Sequence, residues 1–184
     1  MPSARPLLLT LMLWPAVVAA QDKYGSRNGT ITFFSSAPLE DITAVNRNAA
    51  SVLIPSTGAI EFSVLIRAFE FEKALMQEHF NENYMESAKW PKATFKGRIV
   101  PNAGDDLTKQ GVHSAEVDGT LNIHGVERPL HTTAQLISGP DGRIKAGCTF
   151  EVKPEDHAIA IPGVVRDKIA KSIQVTVDIT YRKL

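Results

Sequence analysis

Ala115-Glu116-Val117-Asp118-Gly119-Thr120-Leu121-Asn122-Ile123-His124 carries the cleanest period of two in the chain. Successive side chains of a strand point to opposite faces. Ala115, Val117, Gly119, Leu121 and Ile123 therefore share one apolar or small-residue face, opposed by Glu116, Asp118, Thr120, Asn122 and His124. The same pattern repeats on both sides. Downstream, Gly125-Val126-Glu127-Arg128 reads as a hairpin connection to a strand carrying Leu130, Thr132, Ala134 and Leu136. Gly139-Pro140-Asp141-Gly142 is a strong turn, and Ile144 to Val152 is the next strand. Pro154, Pro162 and Gly163 keep residues 153–171 irregular. The last strand sets Ile173, Val175, Val177, Ile179 and Tyr181 inward against Gln174, Thr176, Asp178 and Thr180.

Upstream, beyond the polar loop Pro101 to Asp106, Ala93, Phe95, Gly97 and Ile99 oppose Thr94, Lys96 and Arg98. Ile60, Phe62, Val64 and Ile66 likewise alternate with Glu61, Ser63 and Arg67. Between these two strands the spacing predicts one short helix over about 72–83. Its Leu75, Met76, His79 and Phe80 recur at three- and four-residue intervals, so they share a face directed at the sheet. Nearer the N-terminus, Gly25, Asn28 and Gly29 mark a turn before a strand at Thr30 to Phe34, which Pro38 ends. A further extended region runs from Ile42 to Ile54, interrupted near Asn46-Arg47-Asn48. About eight amphipathic strands and one helix favour a mainly β fold, an antiparallel eight-stranded barrel that the helix closes or floors. Closure removes the exposed edges a flat sheet would leave.

The first twenty residues stand apart. Arg5 is the only charge before the apolar run Leu7 to Val18, and the small residues Val18-Ala19-Ala20 follow at a plausible cleavage site. That run is shorter than the roughly 20 apolar residues a spanning helix needs. The reading is a signal peptide at 1–20 and a single domain at 21–184, periplasmic or secreted. The chain holds 20 basic and 20 acidic residues, so the loss of Arg5 leaves one surplus acid. Interspersed charges near neutrality argue against nucleic acid and against a polyanion or membrane-docking patch. Cys148 is the only cysteine, so no internal disulfide forms. It lies among Ile144, Ala146, Phe150 and Val152, which favours an enclosed structural thiol over a reactive one.

A barrel of eight strands either fills with side chains or leaves room for one small ligand. Small residues at inward positions, namely Ala93, Gly97, Ala115, Gly119, Ala134 and Ala146, fit an apolar cavity and equally fit taper and strand bending in a filled core. Pattern alone leaves both readings standing. A cavity would be lined by Phe62, Val64 and Ile66, by Met76 and Phe80 of the helix, and by Phe95, Ala115, Gly119, Leu121, Ile123 and Phe150. Catalytic signatures are missing from the sequence: it has no Gly-rich phosphate loop, His-Glu-x-x-His helix or Gly-x-Ser-x-Gly elbow. His124 and His131 can approach across their hairpin but lack an evident third ligand, so no metal is expected. Glu78, His79 and Glu82 could support a base, yet His79 falls on the apolar helix face and no nucleophile is evident. No cofactor and no enzymatic activity are expected.

His79-Phe80, then Trp90-Pro91-Lys92-Ala93-Thr94-Phe95-Lys96-Gly97, then Gly119-Thr120-Leu121-Asn122-Ile123-His124-Gly125-Val126-Glu127-Arg128-Pro129-Leu130 resembles the YceI-like family in order and spacing. The resemblance covers most of residues 21–184. It implies an exported, lipocalin-like extended β-barrel whose interior binds a polyisoprenoid or similar amphiphilic lipid, for sequestration or transport. A homodimer stays open, and a ligand-free structural or interaction barrel in the cell envelope is the alternative. Two stretches depart from the family pattern: Leu75-Met76-Gln77-Glu78-His79-Phe80 at the helix, and Val152-Lys153-Pro154-Glu155-Asp156-His157 after the Ile144 strand. Both bear on the barrel mouth.

Overall fold

The computed structural model describes residues 22–184, so the expected signal peptide at 1–20 lies outside the described residues. Alternation along the described residues is realised as nine strands. These are β1 (Tyr24–Ser36), β2 (Asp41–Ile54), β3 (Ala59–Leu65), β4 (Glu70–Phe71), β5 (Lys92–Pro101), β6 (Gly111–Ile123), β7 (Val126–Ser138), β8 (Ile144–Val152) and β9 (Ile173–Lys183). β1 pairs with both β9 and β2, so the order β1-β9-β8-β7-β6-β5-β3-β2 returns on itself as a closed eight-stranded antiparallel barrel. The two-residue β4 is an extra strand beside Ala44 and Val45 of β2.

Two polar interruptions expected to break strands are absorbed within them. β1 runs straight through Gly25 to Gly29, with a shift of register against β2 between Ser26 and Gly29 in place of a turn. Such a bulge bends a strand without ending it. Gly29 serves close approach, since a Cβ there would lie 2.8 Å from Ile179 Cδ1. β2 passes through Asn46 because that buried side chain supplies its own partners. Its Nδ2 donates to the Leu65 carbonyl at 2.9 Å, and its Oδ1 accepts the Asn48 N–H at 2.8 Å.

The helix α1 spans Ala74–His79 and widens into one π-type turn at Phe80–Tyr84, where the Met85 N–H reaches back to the Phe80 carbonyl at 2.9 Å. Its expected apolar face is corrected: Leu75 and His79 are exposed, and only Met76 and Phe80 tuck partly inward. The four residues still share one face, but that face borders the barrel mouth instead of packing on the sheet.

The two ends of the barrel differ. At the end where β6 begins and β7 finishes, Leu53, Ile60, Ile99, Leu136, Ile144, Ile179 and Tyr181 form one closely filled cluster, joined by Leu107 from the Pro101–Gly111 loop. The other end is covered by residues 66–91 and 153–172. Both covers meet the β6–β7 hairpin at His124, whose Nε2 lies 2.9 Å from Glu86 Oε2 and whose Nδ1 lies 3.2 Å from the His157 carbonyl. Trp90 packs against Gly125, where a Cβ would come within 2.5 Å of the indole. That contact brings the Trp90-Pro91 and His124-Gly125 stretches together in space.

Candidate ligand cavity

Beneath the covered end lies a cavity of about 550 Å³, within the range of small-molecule sites. Its wall is overwhelmingly carbon. β3 and the turn after it supply Phe62, Val64 and Ile66; α1 and its wide turn supply Met76 and Phe80; β5, β6 and β8 supply Phe95, Leu121, Ile123 and Phe150. These are nine of the eleven residues expected from the sequence.

Ala115 and Gly119 lie elsewhere, which corrects the expectation for both. Ala115 is buried in the filled cluster. Gly119 faces Gly97 across the β5–β6 ladder, and the Phe95 ring fills the space the two leave. A Cβ on Gly119 would stand 2.4 Å from the Lys96 carbonyl and 2.6 Å from Phe95 Cζ. The small residues therefore admit a neighbour's ring and close strand contact. The void is bordered mainly by large residues, with Ala93 the one of the six small inward residues on its wall.

Several lining groups escaped the sequence reading. Ile31 and Phe33 of β1 and Val175 and Val177 of β9 belong to inner faces whose alternation was legible. Phe69 and Phe71 carry only a short Phe-Glu-Phe alternation, and Ile159, Ile161, Val165 and Ile169 carry no period at all. Phe33, Phe69, Phe71 and Phe80 form an aromatic knot at the mouth, with Phe33–Phe80 centroids 5.4 Å apart and Phe71–Phe80 5.0 Å apart. Such tilted pairs add to area burial and steady the cover.

Cys148 is corrected as well. Instead of lying enclosed in a filled core, it is half-buried on the cavity wall, where burial pushes its thiol up to about 11. The charged lining groups lie at the mouth, whereas Thr132 of β7 lines the barrel wall. Lys73 Nζ pairs with Glu40 Oε1 at 2.9 Å, which holds the ammonium above its ordinary value, and Lys168 and His79 lie on the same rim.

The remaining titratable groups do not assemble. His79 lines the cavity, whereas Glu78 and Glu82 line a separate outer hollow. His124 and His131 stay apart: His124 holds the two covers, while His131 sits on the outer wall bonded to Asp118 and 3.2 Å from Glu116 Oε2. The Asp118 carboxylate raises the His131 pKa. Among the described residues no group of three or more His, Cys, Asp or Glu is arranged to hold a metal.

A profile of the YceI-like domain matches residues 22–181. The chain is 30% identical over 129 residues to protein YceI of Escherichia coli O17:K52:H18, covering 68% of this chain and 55% of that protein. Protein YceI of Salmonella arizonae matches with the same identity and coverage. The chain thus spans about half the length of the curated relatives it matches. Among solved structures, a polyisoprenoid binding domain from Saccharophagus degradans superposes with TM-score 0.77 at 14% identity, over 90% of this chain and all of that one. Burkholderia cenocepacia BcnA superposes with TM-score 0.69 at 12% identity, over 84% of this chain and 96% of that one. At such identities the likeness speaks for the barrel alone. With the profile spanning nearly all of the described residues, the chain belongs to the YceI-like family.

Proposed function

We propose that this protein is a non-enzymatic carrier that sequesters or transports one isoprenoid-like or other amphiphilic lipid after export to the periplasm or medium. The observation that carries the reading is the apolar cavity of about 550 Å³ whose charged lining groups, Glu40, Lys73 and Lys168, all come from the segments at one mouth. An amphiphile has the matching asymmetry: a hydrocarbon tail for the Phe62, Val64, Leu121 and Phe150 wall, and a polar head for the Glu40, Lys73 and Lys168 rim. Burial contributes roughly 0.8 kcal/mol per CH₂, so one isoprene unit is worth about 4 kcal/mol gross. A few units outweigh association costs of about 4–15 kcal/mol. A relative in fold that is described as a polyisoprenoid binding domain supports the ligand class.

The test is titration of the delipidated protein with geranylgeraniol. The expected result is saturable binding at one site per protein, with a negative heat-capacity change as apolar surface is buried. Absence of saturable binding to geranylgeraniol and to longer polyprenols would return the barrel to a ligand-free structural role.

A further inference from the structure

We infer that the rim of the cavity docks on the surface of a zwitterionic lipid bilayer, so that the mouth opens against the membrane. Leu39, Leu75 and Val164 are 69%, 61% and 92% exposed, among the most exposed large apolar side chains described. They come from three separate segments: the β1–β2 connection, the start of α1, and the 3-10 turn at Gly163–Lys168. Hydrogen bonds join these segments into one rim. The Leu39 N–H donates to the Asp167 carbonyl at 3.1 Å, Lys73 donates to Glu40 at 2.9 Å, and the Ala170 N–H donates to Ser35 Oγ at 2.9 Å. Each exposed residue also adjoins the opening. Leu75 lines the cavity itself, and the chain neighbours Glu40 and Val165 line it beside Leu39 and Val164.

Apolar side chains held out in water around an apolar mouth mark an interaction surface, and their number suits shallow insertion at a headgroup boundary. The charges beside them balance: Lys73, Arg166, Lys168 and Lys171 against Glu40, Asp41, Glu72 and Asp167. That balance suits a zwitterionic surface and makes attachment insensitive to salt, unlike polybasic docking. The inference rests on the carrier reading, since a bilayer is where an amphiphile's tail can pass to the cavity without crossing water.

The experiment is flotation of the protein with phosphatidylcholine vesicles, comparing wild type with Leu39→Glu, Val164→Glu and Val112→Glu. Val112 is 70% exposed on β6 toward the filled end and serves as the control for general greasiness. The expected result is salt-independent flotation of wild type and of the Val112 variant. The Leu39 and Val164 variants should each lose roughly tenfold or more in partitioning, the order expected for one large apolar side chain. Failure of wild type to float, equal flotation of all variants, or equal loss in the Val112 variant would overturn the inference. A vesicle-free dimer broken by Leu39→Glu would also overturn it, because the rim would then serve a second copy. Geranylgeraniol binding, measured on the same proteins without vesicles, reads the carrier function separately and should be unchanged in all three variants.

Discussion

Ser51 and Tyr181 show how one buried pair turns a register into a stability difference. Ser51 Oγ donates to the Glu61 carbonyl at 2.7 Å, so the Tyr181 hydroxyl, 2.8 Å away, is left to donate to Ser51. Burial pushes the Tyr181 pKa well above its ordinary value, with the Ser51 contact acting in the opposite direction, so the phenol stays neutral. Ser51→Ala strands a buried donor and should cost about 1–3 kcal/mol, whereas Tyr181→Phe leaves Ser51 bonded to Glu61 and should cost about 0.5–1.5 kcal/mol. Urea unfolding of both variants checks the order, and the reverse order would contradict the assigned donor direction. Cys148 gives a kinetic test. With its thiol pushed up to about 11 by burial, roughly one molecule in a thousand is ionised at about pH 8, against about a quarter for a free thiol. Alkylation by iodoacetamide should therefore run on the order of a hundredfold slower than for glutathione. A rate matching glutathione would mean that the wall around Cys148 opens to water.

At the scale of elements, alternation marked the strands well, and β8 runs over the expected residues from Ile144 to Val152. What it could not show is that a polar residue inside a strand can be satisfied by its own neighbours. Asn46 looks like a break, yet in β2 it bonds the Leu65 carbonyl and the Asn48 N–H and holds the bend that aligns β2 with β1. Asn46→Ala should orphan both groups, at about 1–3 kcal/mol for each that water cannot reach. Denaturant unfolding of that variant should show a larger loss than Ser51→Ala, and a loss below about 0.5 kcal/mol would mean that the bend needs no side-chain support. The helix was legible in position but not in orientation. The three- and four-residue spacing identifies a shared face without saying whether that face meets a sheet or the opening of a cavity.

For the whole molecule, the void is a property of strand pairing that no single strand carries. Gly97 meets Gly119 in the β5–β6 ladder, and Phe95 folds over both. Apart from Ala93, which lines the cavity, the small inward residues therefore gather where the barrel is full. The cavity opens beyond them, among Phe62, Leu121 and Phe150 and under covers whose Ile159 and Ile161 carry no period. The barrel and much of the wall could be read from two-residue periodicity, but the division into a filled and a hollow end required three-dimensional register. Two substitutions separate those ends. Ala115→Trp drives a large ring into a buried site and should cost about 1–3 kcal/mol or more. Thr132→Trp places the same ring in the cavity, so the protein should melt near the wild-type temperature while losing its ligand. The account is tested most directly by organic extraction and mass spectrometry of the protein purified without added lipid, counting lipid per chain in wild type and in Thr132→Trp. It predicts about one isoprenoid-like amphiphile per wild-type chain and almost none in the folded variant, whereas a wild type without lipid, or a variant carrying as much as wild type, would contradict it.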